Sequence, residues 1–317
     1  MTRARQRRGS GARLGVLLSG VLALGTLASC GYDDTPLPDK PEAASSSAPP
    51  ASQVECDDPT KSFAPSDDAV AARAQLGDRG RLVVGVSGDT YQLGFTDPAD
   101  SRLKGFDIDV AREVADALGV SLQLRVISAG ERIGLLESGE IDMVARNMTM
   151  NCARWQEVSF STVYYNATQK VLVRSDAATS YAGPQSLAGK KVCAPAGTTS
   201  IANIADIEPE VKPVPANNHT GCLIKFQRGE VDAITGDDTV LAGLVAQDPY
   251  AVVPEQKKLT DEPYGLAVAR ENRALAAFIN NVLDRMRGDG TWRRLYGTWL
   301  KPYLKVDAAP PKPVYGR

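Results

Sequence analysis

The chain has a single histidine, His219, and contains no C-x-x-C pair and no G-x-S-x-G pattern in its 317 residues. That scarcity removes the usual signatures of a zinc site and of Ser–His catalysis, so no metal and no cofactor are expected. A basic excess is missing too. Lys and Arg number 36 against 38 Asp and Glu, and a formal charge of -2 gives no electrostatic case for a nucleic-acid partner. No apolar run is long enough to span a bilayer comfortably; the most apolar stretch, Leu14 to Leu27, falls short. What remains is ordinary globular composition, 43% hydrophobic and 23% charged, enough for one large domain or two smaller lobes.

The N-terminus reads as an export segment. "TRARQRR" is a basic n-region, the apolar stretch follows, and "LASC" places small Ala28 and Ser29 before Cys30. Those four residues resemble the lipobox of bacterial lipoproteins, which implies cleavage after residue 29 and lipidation of Cys30. Several acyl chains anchor a protein stably where one would be marginal. Removing residues 1–29 takes away five arginines and no acid, leaving an acidic product. Residues 30–55 are rich in Pro, Ser and Ala and read as a flexible tether; 56–79 form an N-terminal extension. The last stretch, 305–317, "KVDAAPPKPVYGR", is expected to be disordered. Five cysteines leave four once Cys30 is set aside, and an oxidising exterior permits disulfides among Cys56, Cys152, Cys193 and Cys222.

The body alternates strand and helix. "RLVVGV" is a strand, and "GFDIDVAREVADALGV" a helix with Val110, Val114 and Leu118 on one stripe. "SLQLRVI" alternates as a strand, Ser128 and Glu131 form a capping-box pattern, and "EIDMVA" is the next strand. "KKVCA", "GTTSIANI", "GCLIKFQ" and "EVDAIT" then repeat the grammar. "SGEIDMVA" and "RGEVDAIT" are copies of one helix–turn–strand unit, which implies two lobes built alike, each a mostly parallel sheet flanked by helices. Polar clusters follow both strands: "RNMTMNCAR" after the first, "GDDT" after the second. Ligands of open α/β sheets bind beyond the carboxyl ends of the strands. Two facing lobes would set a cationic wall against an anionic one, an arrangement suited to a zwitterion.

These stretches, with "SLAGKKVCAPAGTTS" and "GDGTWRRLYGTWL", resemble the periplasmic amino-acid-binding proteins of polar amino-acid importers, especially actinobacterial glutamine/glutamate-binding lipoproteins, over about Arg81 to Leu304. The resemblance implies two Rossmann-like lobes joined by two hinge strands, the type II periplasmic-binding-protein fold. Lobe one would take 80–170 and 268–304 and lobe two 174–263, with "QKVLV" and "YGLAVA" crossing between them. It implies that Arg154, five after Thr149, grips the ligand α-carboxylate, a task a planar guanidinium does bidentately. Thr198 and Thr199, after Gly197, would donate to the same carboxylate at a helix N-terminus. Asp237 would take the α-ammonium, with Asp238 as its rival. Tyr91 or Phe95 would offer an aromatic wall, and Pro195 departs from a basic residue that many relatives carry there.

Each residue also has a plainer reading. Arg154 and Arg146 suit surface cations, Asp237 or Asp238 an N-cap, Thr198 and Thr199 caps of their helix, and His219 a solvated loop. The side chain of the ligand would meet Arg146, Asn147, His219 and Tyr91, so Glu and Asp are expected first, Asn and Gln next. Four cysteines allow three pairings. Cys193–Cys222 and Cys56–Cys152 stay within lobes and leave the hinge free. The expected product is a monomer that delivers its amino acid to an ABC permease. A membrane sensor protein is the alternative partner, and a dehydratase-like enzyme on the same architecture the remoter reading.

Overall fold

The computed structural model describes residues 56–74 and 76–317. The signal segment, Cys30 and the tether lie outside the described residues. No described helix is long and apolar enough to cross a membrane.

Two sheets of the same design carry the fold. In lobe one the strands run in the order Ser121–Val126, Arg81–Val86, Met143–Ala145, Ala267–Ala269, Val158–Phe160. The first three are parallel; Ala267–Ala269 runs against both its neighbours. In lobe two the order is Lys212–Ala216, Lys191–Pro195, Ala233–Asp237, Tyr165–Arg174, Ala251–Val252, again three parallel strands and then a reversed one. The two copies of the Gly-Glu unit thus supply the third strand of each sheet, and the polar residues after them leave both sheets at the same end.

The apolar stripe accounts for the helix Phe106–Leu118: Val110, Val114 and Leu118 are buried against the strands of lobe one. Gly119 ends it in a left-handed conformation, its N–H returning to Ala115 and Asp116 carbonyls. Glu131 reaches back to the Ser128 N–H at 2.6 Å, half of the expected capping box, ahead of the helix Arg132–Glu137. Cys193 on its strand is bonded to Cys222 on the helix His219–Gln227, inside the core of lobe two. Cys56 is bonded to Cys152.

Two expectations need correction. The apolar "QKVLV" does not cross between lobes: it belongs to the lobe-two sheet, where Val171, Leu172 and Val173 face Thr235, Ile234 and Ala233. The crossing pair lies before it, Tyr165 to Thr168 against Asp261–Tyr264. Those residues alternate in burial and do not form an apolar run. The C-terminal stretch is not loose either. Pro311 is buried with its carbonyl accepting from Arg287 at 2.9 Å, Tyr315 donates to Asp284, and Ser62 bridges Tyr315. Proline-rich composition hid these anchors because none repeats with a period.

Candidate ligand cleft between the lobes

Met143–Ala145 ends in the loop that begins with Arg146. Its turn depends on Asn147, which sits in the left-handed region at φ 35°, one of the few side chains that tolerate it. The Asn147 N–H donates to Asp107 Oδ2 at 2.9 Å, and this holds the turn against the first helix. The loop then curls on itself. The Arg154 N–H donates to Asn151 Oδ1 at 2.8 Å, and Arg154 Nη1 donates to the Thr149 carbonyl at 2.7 Å. Arg154 is therefore no surface cation; it is 8% exposed and aimed into the cleft.

Lobe two answers with the turn before the helix Thr199–Ile207. Gly197 places its carbonyl between two arginines, accepting from Arg154 at 3.3 Å and from Arg132 at 2.9 Å. Thr149 and Thr199 meet across the cleft at 3.3 Å, and both donate to Glu262 Oε2, at 2.6 and 2.8 Å. Thr198 spends its hydroxyl on the Pro195 carbonyl and makes no side-chain cap. At the far wall Asp237 is buried, accepting from Tyr264 at 2.6 Å through one oxygen, while Oδ1 has no partner among the described residues. Two guanidiniums and a helix N-terminus facing one carboxylate, across a cleft lined by Asn147, Thr149, Ser200 and His219, form a two-signed socket.

Residues 82–302 match the bacterial extracellular solute-binding proteins, family 3. The chain belongs to that family. It is 34% identical over 232 residues to the glutamine-binding protein GlnH of an ABC transporter of Bacillus subtilis, covering 72% of this chain and 84% of that one. With the glutamate-binding protein GluB of Corynebacterium glutamicum it shares 30% over 230 residues, 69% of this chain and 78% of the other. Among solved structures, a mutant of the arginine-binding protein ArgBP of T. maritima superposes with a TM-score of 0.68 at 32% identity, over 72% of this chain and 98% of that one. These relatives are binding proteins by name, and the family is extracytoplasmic. The two-lobed α/β fold is that of the amino-acid-binding proteins.

Within this family 3 protein the sequence missed three groups of the cleft. Arg132 opens a short helix after a loop and carries no motif. It is 3% exposed and donates to the Ala129 carbonyl at 2.7 Å besides Gly197. Burial, with Arg154 and Arg146 beside it, pulls its guanidinium well below its ordinary range. Glu262 sits on a hinge strand and accepts four hydrogen bonds, from Thr149, Thr199, Asn203 and Thr260. Gly130 is the backbone that Gly197 approaches: a Cβ on Gly197 would lie 2.7 Å from the Gly130 Cα.

Other expected residues stand differently from their sequence reading. Tyr91 does not line the cleft; it packs edge-on against Phe95 and Tyr303 and shares a hydroxyl contact with Tyr303 at 3.1 Å. Its loop turns it toward the C-terminal helices. Asp238 faces away, accepting from Thr168 at 3.0 Å and from the Thr239 N–H. His219 is no loop residue but the buried first residue of its helix, with Nδ1 3.2 Å from Thr90 Oγ1. Burial and Arg146 push it down to about 4, so its imidazole is neutral at physiological pH. Arg146 is buried behind Asn147 and does not border the cleft directly. Its Nε donates to the Ile127 carbonyl at 3.0 Å, and neither terminal nitrogen has a partner among the described residues. Asp89, Asp107 and Glu131 lie close enough to offset its charge. A larger hollow of about 240 Å³ on lobe two, bordered by Val173, Arg174, Tyr181, Lys190 and Asp232, has no comparable convergence of buried groups.

Proposed function

We propose that the protein captures an acidic or amide amino acid outside the membrane and passes it to an ABC permease, held there by lipidated Cys30. The observation that carries the reading is the pairing of Arg132 and Arg154 with the Thr199–Ile207 N-terminus, opposite Asp237. The arginines take the α-carboxylate, and the unpartnered Asp237 Oδ1 takes the α-ammonium. Selection falls to what lies beyond. Arg146 holds two terminal nitrogens without partners, and Asn147 Oδ1 is likewise without one. Glu and Asp complement the charge of the first from across Asn147. Asn and Gln can use both and follow in order. A basic side chain brings like charge against Arg146 and is disfavoured by several kcal/mol. Binding is favoured over catalysis because the relatives that the chain matches are binding proteins by name.

The test is a thermal-shift screen of the purified protein against the twenty common amino acids, followed by calorimetry of those that respond. Ligand binding raises the apparent Tm by mass action. Glu and Asp should give the largest shifts. A screen led by arginine or leucine overturns the assignment of the side-chain wall.

A further inference from the structure

Two segments outside the family match, 56–81 and 303–317, converge on the loop that carries Arg154. Ser62 is the knot. Fully buried, it donates through Oγ to the Phe160 carbonyl at 2.7 Å and receives Asn280 Nδ2 at 2.9 Å. Its N–H donates to the Val314 carbonyl, and its own carbonyl accepts from the Gly316 N–H, both at 3.0 Å. The two segments are thus joined to each other and to the edge strand of lobe one. From this knot three contacts reach the loop. Cys56 is bonded to Cys152, midway between Thr149 and Arg154. The Pro59 carbonyl accepts from Trp155 Nε1 at 2.8 Å. The Arg317 guanidinium lies over the Trp155 ring, 3.8 Å from its centroid, and donates to the Lys61 carbonyl at 3.0 Å. Trp155 is next in sequence to Arg154, and its other sides meet Phe63 and Phe160.

We propose that this terminal brace is a positioning device for ligand binding: Cys56, Cys152, Trp155 and Arg317 hold the Thr149–Trp155 loop so that Arg154 meets the ligand carboxylate already oriented. At its start the loop is tied by the Met150 N–H to the Pro263 carbonyl at 2.8 Å and by Thr149 to Glu262; from Asn151 to Trp155 its other bonds within lobe one are to itself, through Asn151 and the Thr149 carbonyl. A side chain positioned only by a self-bonded loop surrenders binding energy to ordering each time it engages, and fixing it in advance removes that cost. The second disulfide, Cys193–Cys222, lies in the core of lobe two away from any cleft residue of lobe one, so it serves as an internal control.

The inference rests on Arg154 being the carboxylate clamp, and the experiment separates the two. Native protein, Cys56→Ser/Cys152→Ser, Cys193→Ser/Cys222→Ser, Arg317→Ala and Arg317→Lys are compared by amide hydrogen exchange and by titration with L-glutamate. The expected result is that removing Cys56–Cys152 speeds exchange of residues 149–155 and weakens glutamate roughly tenfold, within the usual range of a coupling between sites. Removing Cys193–Cys222 should lower stability while leaving both readings near native. Arg317 is exposed, so its substitution does not threaten the fold; Arg317→Ala should weaken glutamate severalfold and Arg317→Lys restore most of it. In an Arg154→Lys background the brace variants should cost little further affinity, which a merely structural role would not produce. Unchanged exchange in 149–155, or equal affinity losses from the two disulfide variants, overturns the proposal. If the native protein fails to bind glutamate, the assigned ligand falls, and the exchange comparison alone decides the brace.

Discussion

Gly197 makes a close backbone approach between the lobes, and replacing it should separate closure from folding. A Cβ built there lies 2.7 Å from the Gly130 Cα and 3.0 Å from its nitrogen, and φ is +74°. Two costs follow. The left-handed conformation costs a non-glycine residue about 1–2 kcal/mol, but open and closed forms both pay it, so it cancels from affinity and appears only in Tm. The clash with Gly130 exists only when the lobes meet. Overpacking against backbone costs about 1–3 kcal/mol, and a closed state destabilised by that much binds roughly 5- to 150-fold more weakly. Gly189 is the control: φ is +71° and nothing lies within 4 Å of its Cβ. Gly189→Ala should lower Tm by a few degrees and leave binding unchanged; Gly197→Ala should lower both. Calorimetric titration of the two variants with the best amino acid from the screen reads the difference. Native affinity in Gly197→Ala would refute the reasoning, because it would mean that binding does not require these two backbones to meet.

Arg154→Ala and Arg132→Ala should each weaken the amino acid hundreds-fold, since a buried carboxylate stripped of one partner costs about 3–5 kcal/mol; near-native calorimetric affinity in either would remove that arginine from the clamp. Binding should release protons near neutrality. Burial and Glu262 push Asp237 up to about 8, so at pH 7 about nine-tenths of it is protonated in the closed arrangement, and an incoming ammonium expels that proton. Affinity should therefore fall as pH drops below about 8, by up to roughly tenfold per unit. The sign opposes the trend expected from a charged His219, which at a pKa of about 4 stays neutral here, and His219→Ala should not flatten the curve. Equal titration enthalpies in phosphate and Tris would count against proton release. Arg146→Met should weaken Glu more than Gln; equal losses in a paired titration would show that its nitrogens do not face the side chain.

How much was legible follows from which residues leave a local pattern. Strands and helices of both lobes follow from period and glycine stops, and the twin Gly-Glu units fall on equivalent strands. Arg154 and Asp237 were visible because polar residues directly after a core strand need a reason, and a resemblance supplied one. Arg132 and Glu262 left no such mark. Arg132 starts a six-residue helix, and Glu262 sits on a four-residue strand beside ordinary hinge residues. Their roles exist only once two lobes meet, which no local period encodes. His219 shows the converse: the residue was singled out, but its charge state depends on burial and on Arg146, fixed by packing from both lobes.

The charges of the cleft explain why a zwitterion can shift the lobes rather than merely occupy them. Arg132 and Arg154 stand together on lobe one, where Arg154 depresses the Arg132 guanidinium, and closing meets their repulsion with the one acceptor that they share among the described residues, the carbonyl of Gly197. A carbonyl dipole offsets part of that repulsion; a carboxylate offsets more, since it carries full charge and can accept in two places. On the other wall Asp237 is driven toward its protonated form by burial and by Glu262, and an ammonium reverses that. A ligand shifts a conformational equilibrium only by the difference in its affinity for the two states. The arginines stand on lobe one and Asp237 on lobe two, so one ligand makes both contacts only with the lobes together, and holding both is what counts toward that difference. An amine without a carboxylate, or a carboxylate without an amine, relieves one wall and leaves the other strained. Closure should then follow the zwitterion and not either half: small-angle scattering with saturating glutamate should show compaction relative to an open form, while 4-aminobutyrate and glutarate at the same concentration should not. Compaction with glutarate alone would mean that the arginine wall drives closure by itself and that Asp237 only selects.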